Sequence, residues 1–130
     1  MSFESALIWF SILTLIMISF EIFFTYATLG FGYGFSSNRA AVEISPLATR
    51  IKRALQNQTE SAVYIVPVLA AGAVMGVQGQ GVETAALLIV LARAAFALLY
   101  YSGIPFARVP AFALGTVSTL YIAYVLVTVG

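Results

Sequence analysis

The sequence predicts an all-α integral membrane protein, built as a bundle of four transmembrane helices. Three observations carry this prediction: the 130 residues are 62% hydrophobic and only 8% charged, their mean hydropathy is +1.01, and four apolar stretches are long enough to cross a bilayer. A soluble domain carries about 25% charged residues, and so short a chain could not bury this much apolar surface in one water-soluble core. We therefore expect residues 1–130 to form a single transmembrane domain.

The four apolar stretches define the expected helices. A helix needs about 17 to 25 predominantly apolar residues to span the hydrocarbon, and irregular backbone is not tolerated against lipid. The second helix is expected to begin before its span, because Ser45 can cap its N-terminus and Pro46 suits the first helical position. The expected spans are residues 6–29, 61–77, 83–102 and 109–129.

The basic residues predict the orientation of the chain. Cytoplasmic loops of membrane proteins carry an excess of Lys and Arg. Both termini are therefore expected on the non-cytoplasmic side. Six basic residues, gathered mostly at one boundary, are too few to predict nucleic-acid binding, and membrane lipids are the expected surroundings. The loop cations are Arg39, Arg50, Lys52 and Arg53 in the first connection and Arg108 in the turn before the fourth helix.

The chain contains neither cysteine nor histidine. It therefore cannot form a Cys/His zinc site, a His-ligated haem, a cysteine nucleophile or a histidine general base. We expect no metal site, and any thiol chemistry must come from a ligand.

A polar stripe is predicted at the start of the second helix. At 100° per residue, its members fall within an arc of about 80°. Three other polar residues of this segment, Lys52, Gln56 and Gln58, point elsewhere and are expected to be solvated or at the headgroups. The stripe consists of Arg50, Arg53, Asn57, Glu60 and Tyr64.

Arg93 lies near the middle of the third span, with Phe96 and Tyr100 on the same face of the helix. An Arg at this depth costs about 2.5–3.5 kcal/mol on insertion scales and should face protein and a partner. Glu21 and Glu60 are the candidate partners. Either they form a structural ion pair with Arg93, or the polar residues line a pocket that opens to the cytoplasm and suits a small anionic ligand with amide and amine groups. The predicted pocket residues are Arg53, Asn57, Glu60, Arg93, Tyr100 and Arg108.

Two segments of the chain resemble the MAPEG family, the membrane-associated proteins of eicosanoid and glutathione metabolism. RALQNQTE at residues 53–60 matches the pattern R-A-x-x-N-x-x-E at the start of the second helix. ARAAFALLYYSGIPFAR at residues 92–108 matches the pattern A-R-x-x-[YF]-x-x-x-Y-x-x-G-[IV]-P-x-x-R. The similarity is greatest to the small bacterial branch, which implies a bacterial inner membrane.

The resemblance implies a homotrimer of four-helix subunits that binds glutathione between neighbouring subunits near the cytoplasmic face. By motif position, glutathione would contact Arg53, Asn57, Glu60, Arg93 and Tyr100. Arg108 approximates the arginine that activates the thiol, although its register is one residue off the eukaryotic synthase pattern. Phe96 stands where some family enzymes have a tyrosine that bonds glutathione.

Two functions follow as alternatives. The first is a glutathione-dependent transferase or peroxidase acting on lipophilic electrophiles from the bilayer, which needs only a cation near sulfur and proximity. The second is a non-catalytic membrane protein that binds lipid or serves as an accessory subunit of a larger membrane complex.

Overall fold

The computed structural model describes residues 1–32 and 45–129, so Arg39 of the first connection lies outside the described residues. It contains four long helices: α1 (Phe3–Leu29), α2 (Pro46–Met75), α3 (Gln80–Ser102) and α4 (Arg108–Val129). All four are long and apolar enough to cross a membrane, and the described part of the chain has no strand. The predicted all-α membrane fold is confirmed.

Local sequence signals fix the ends of α2. The Ser45 hydroxyl accepts a hydrogen bond from the Ala48 N–H at 3.1 Å, and Pro46 occupies the first turn, which confirms the predicted start. The helix ends at Met75 and is capped by Gly76, whose φ of 67° lies in the left-handed region that favours glycine. Its 30 residues extend about 45 Å at 1.5 Å per residue. That length exceeds a hydrocarbon thickness of about 30 Å, so part of α2 stands outside the apolar layer.

Two apolar clusters make up the core. The smaller one is formed by Met17, Ala54 and Ala97. A polar layer lies between the two clusters. It consists of one residue from each of α1, α2 and α3, namely Thr14, Gln58 and Arg93. The larger cluster draws on all four helices and contains Phe3, Ala6, Phe10, Ile65, Leu69, Val82, Ala85, Ala86, Ile89, Ile122 and Leu126.

Buried glycines lie at two of the contacts between helices. The Phe3 ring of α1 packs directly on Gly72 of α2, where a Cβ atom would meet ring carbons at 2.7 Å. Gly115 of α4 lies against Ala92 and the Cδ of Arg93. Both glycines are buried. Because neither glycine has a side chain, α1 can approach α2 closely, and α4 can approach the centre of α3.

Candidate functional site

Arg93 occupies the centre of the polar layer and is 2% exposed. Its Nε donates a hydrogen bond to Oε1 of Gln58 at 3.0 Å, and its NH2 group donates to Oδ1 of Asn57 at 2.8 Å. The guanidinium also lies over the ring of Phe96, 4.7 Å from its centroid. Carbonyl dipoles of two neutral amides on α2 thus solvate the cation at a depth where water is scarce.

Both acids that the sequence offered as partners of Arg93 have other partners. Oε1 of Glu21 accepts a hydrogen bond from the Lys52 ammonium at 3.3 Å, joining α1 to α2. Oε1 of Glu60 accepts from Gln56 at 3.1 Å. Among the described residues, the ion pair of Glu21 is therefore with Lys52, and neither carboxylate reaches Arg93. Of the two alternatives for Arg93, the structural ion pair with Glu21 or Glu60 is therefore not formed within the described residues of the single chain.

Gln58 is a site residue that the sequence reasoning missed. It was expected to be solvated, but it is 0% exposed. Its Nε2 donates to the Thr14 hydroxyl at 3.0 Å, which donates to the Phe10 carbonyl at 2.9 Å. The predicted stripe contains Asn57 but not Gln58, because the directions of consecutive helix residues differ by 100°. The three- and four-residue spacing of the buried face of α2 includes it: Ala48, Ile51, Ala54, Gln58, Ser61, Ile65, Leu69 and Gly72.

The accessible face of α2 carries the rest of the predicted stripe. Arg53 and Glu60 are exposed, and Asn57 between them is half-buried. Tyr64 is 38% exposed, and its hydroxyl lies 3.4 Å from the Ser61 hydroxyl. Because Oδ1 of Asn57 accepts from Arg93, the N–H groups of Nδ2 stay available to other partners. Along α2 the stripe therefore offers a cation, N–H donors and a carboxylate in that order.

Two aromatic rings in the C-terminal half of α3 lie between two arginines. The Phe96 ring lies 5.5 Å from the Tyr100 ring, and the guanidinium of Arg108 lies 4.4 Å from the Tyr100 centroid. Such contacts hold an arginine by attraction to the ring face. The predicted shared face of Arg93, Phe96 and Tyr100 is confirmed, and Arg108 joins it from the first turn of α4.

Arg50 of α2 lies at the C-terminal end of α3. Nε of Arg50 donates to the Tyr101 carbonyl at 3.2 Å, so it caps the helix C-terminus, where cations are favoured. A Cβ at Gly103 would lie 3.4 Å from Cζ of Arg50. Arg50, which the sequence placed in the α2 stripe, therefore ties α2 to α3.

The structure brings four of the predicted site residues into two direct contacts. Asn57 touches Arg93, and Tyr100 touches Arg108. Phe96 links the two pairs along α3. Arg53 and Glu60 flank Asn57 on α2. Within residues 1–32 and 45–129, no three Asp or Glu side chains come together in a way that could hold a metal ion.

The four membrane-length helices, with polar residues of α2 and α3 buried together at their centre, define a multi-pass helical membrane protein. The chain belongs to the MAPEG family, whose family model matches residues 6–128, nearly its whole length. No curated protein and no solved structure matches it.

Proposed function

We propose that this MAPEG-family protein binds glutathione on its cytoplasmic side, in a pocket between neighbouring copies of a homotrimer. We further propose that it transfers the bound thiol to lipophilic electrophiles, or uses it to reduce them, and that it lies in a bacterial inner membrane with both termini on the non-cytoplasmic side. The observation that carries the proposal is the order of polar groups on the accessible face of α2.

The α2 face complements the functional groups of the tripeptide. Arg53 to Asn57 is four residues and Asn57 to Glu60 is three, which at 1.5 Å per residue gives about 6 and 4.5 Å along the axis. Glutathione carries carboxylates for the cation, amide carbonyls for the outward N–H of Asn57 and an ammonium for the carboxylate of Glu60. Charge-assisted hydrogen bonds of this kind are about twice as strong as neutral ones.

The depth of Glu60 argues that a second copy covers this face. Glu60 lies 15 residues before Met75, the last residue of α2, which places it about 22 Å along the helix from that end. A hydrocarbon layer about 30 Å thick would therefore include it. An exposed carboxylate against lipid is unfavourable by a few kcal/mol. A neighbouring subunit and a polar ligand would together remove this cost.

The proposed chemistry requires only one cation of the protein near the sulfur of glutathione. A guanidinium near the sulfur favours the thiolate, because a nearby cation stabilises the charged form. Arg108, held against the Tyr100 ring, is the residue for this role. The thiol proton passes to solvent, the sulfur forms a bond to the electrophilic carbon, and the leaving group departs with the electrons of the broken bond.

Thermal unfolding in detergent, with and without glutathione, tests the binding site. A ligand at 100 times its dissociation constant stabilises the folded protein by about 2.7 kcal/mol. We expect wild type to show such a shift and Arg53→Ala to lose it. Lys52→Ala is the matched control: it removes the adjacent positive charge from another face of α2, and its glutathione-induced shift should remain.

Three outcomes separate the alternatives. A shift in wild type and Lys52→Ala but not in Arg53→Ala supports the pocket. Equal shifts in all three proteins would place glutathione elsewhere. No shift at millimolar glutathione would overturn the proposal and favour an accessory subunit of a larger membrane complex, for which co-purification of a stoichiometric partner is the direct check.

A further inference from the structure

We propose that Thr14 of α1 is a positioning residue, which acts through Gln58 and Arg93 to fix the outward edge of the Asn57 amide. Four hydrogen bonds join these groups in one chain that crosses three helices. It runs from the Phe10 carbonyl in the apolar core to the accessible face of α2. The assignment of Thr14 and Gln58 rests on this geometry alone, and its consequence for glutathione rests on the proposed function.

The chain of hydrogen bonds can be drawn in only one direction. Arg93 has five N–H donors and no acceptor, so the groups facing it on Gln58 and Asn57 must be oxygens. With its oxygen committed, the Gln58 amide has only N–H groups to offer to Thr14, whose hydroxyl must accept. The Thr14 proton is then free for the Phe10 carbonyl, which can only accept.

Burial makes the loss of any one of these hydrogen bonds costly. Gln58 is 0% and Arg93 2% exposed, so water cannot replace a lost partner at either side chain. Leaving a buried donor unsatisfied costs more than one hydrogen bond contributes when it forms. Without the Thr14 hydroxyl, the Gln58 amide would lose its anchor on α1, and the guanidinium that it holds could turn. The Asn57 amide, which bonds the same guanidinium, would then change its orientation as well.

Side-chain NMR of the full-length protein in detergent micelles tests the proposal directly. Lys52 is the only lysine among the six basic residues, so the chain has five arginines; it has two asparagines. Selective ¹⁵N labelling therefore gives a few Nε–H and side-chain amide signals, which Arg93→Lys and Asn57→Asp assign. We expect Thr14→Val to shift the Arg93 Nε–H and Asn57 amide signals and to speed hydrogen exchange at Arg93 about three- to tenfold, the loss of one hydrogen bond.

The chain of hydrogen bonds from Phe10 to Asn57 is called the relay. Two controls separate an effect on the relay from a general change in α1. Thr14→Ser keeps the hydroxyl and should leave both signals in place. Thr28→Val removes a hydroxyl with the same local geometry, since Thr28 donates to the Phe24 carbonyl at 2.7 Å, but Thr28 is exposed and does not contact Gln58. Unchanged Arg93 and Asn57 signals in Thr14→Val, or equal changes in Thr28→Val, would overturn the proposal.

Glutathione titration of the same proteins adds a readout at the site. If wild type binds, Thr14→Val should weaken the affinity about three- to tenfold, with Thr14→Ser and Thr28→Val unchanged. Altered Arg93 and Asn57 signals with unaltered affinity would confirm the relay and overturn its consequence for glutathione, whereas altered Arg93 signals alone would overturn the extension of the relay to Asn57. If wild type does not bind, the proposed function fails, and the NMR signals alone decide the relay.

Discussion

Arg93 donates a hydrogen bond of 2.8 Å to Oδ1 of Asn57, so a buried cation determines which edge of this half-buried amide remains available to other partners. An asparagine amide can present either an acceptor or two donors. Here the cation takes the acceptor, and the donors are left for the surface. A ligand at this face must therefore bring an oxygen to Asn57, as the amide carbonyls and carboxylates of glutathione do.

Asn57→Asp tests this arrangement, because it exchanges the outward N–H donor for an oxygen while it keeps an acceptor for Arg93. We expect the melting temperature to stay the same or rise, since the carboxylate bonds a cation, and the glutathione-induced shift to disappear. Asn57→Ala, which loses both edges, should lower both quantities. A glutathione shift of wild-type size in Asn57→Asp would show that the outward edge does not meet a ligand acceptor.

The bond between Gln58 and Arg93 should contribute more to stability than the ion pair of Glu21 with Lys52. Gln58→Leu deprives a buried guanidinium of an acceptor and should cost about 1.5–3 kcal/mol. Glu21→Gln should cost less than about 1 kcal/mol, because Lys52 is 39% exposed and exposed ion pairs contribute little. Reversible unfolding in mixed detergent micelles measures both.

The double variant Gln58→Leu/Arg93→Leu completes this comparison. Replacing both partners by apolar groups can be nearly neutral, so we expect it to recover part of the loss seen in Gln58→Leu. A double variant less stable than either single one would argue against a direct energetic link between the two residues.

Arg108→Ala should slow conjugation of glutathione to a chlorodinitrobenzene without abolishing glutathione binding. A nearby cation lowers the pKa of an acid by about 1 to 3; its loss would raise the thiol pKa, so that less thiolate is present at neutral pH. The rate at pH 7 should fall about ten- to a thousandfold and recover as the pH rises. Arg108→Lys, which keeps the charge, should stay nearer wild type, and an unshifted pH–rate profile in Arg108→Ala would exclude this role.

Two buried helical glycines should respond oppositely to alanine. At Gly72 the new methyl group would meet the Phe3 ring at 2.7 Å, and overpacking of this kind costs about 1–3 kcal/mol. At Gly115 the nearest atoms lie at 3.6 and 3.8 Å, so Gly115→Ala should be neutral or gain up to about 1 kcal/mol of helix propensity. Detergent unfolding compares the two, and Phe3→Leu should rescue Gly72→Ala. Equal effects would mean that α1 can shift away from α2 without loss.

The fold class was accessible from the sequence because it depends on properties of single residues and short segments. Hydropathy and bilayer thickness together fix the number and length of the helices. The start of α2 followed from Ser45 and Pro46, since a cap and a first-turn proline act within one helical turn. The face shared by Phe96 and Tyr100 with Arg93 followed from helical periodicity alone.

The partners of Arg93 were not accessible in the same way. A helical wheel gives the directions of residues on one helix relative to each other, but not the rotation of that helix against its neighbours. Glu21 was a candidate partner of Arg93, yet its carboxylate bonds Lys52. Gln58 was placed at the surface, yet it lies between Arg93 and Thr14.

The sequence by itself thus determined a four-helix membrane protein of the MAPEG family, with a polar stripe on α2 and an arginine at the centre of α3. Only the tertiary structure decided that two neutral amides, Asn57 and Gln58, hold this arginine. The physical reason is that a buried cation takes whichever oxygens the packing of three helices brings within about 3 Å. The carboxylates of Glu21 and Glu60 instead accept hydrogen bonds from Lys52 and Gln56.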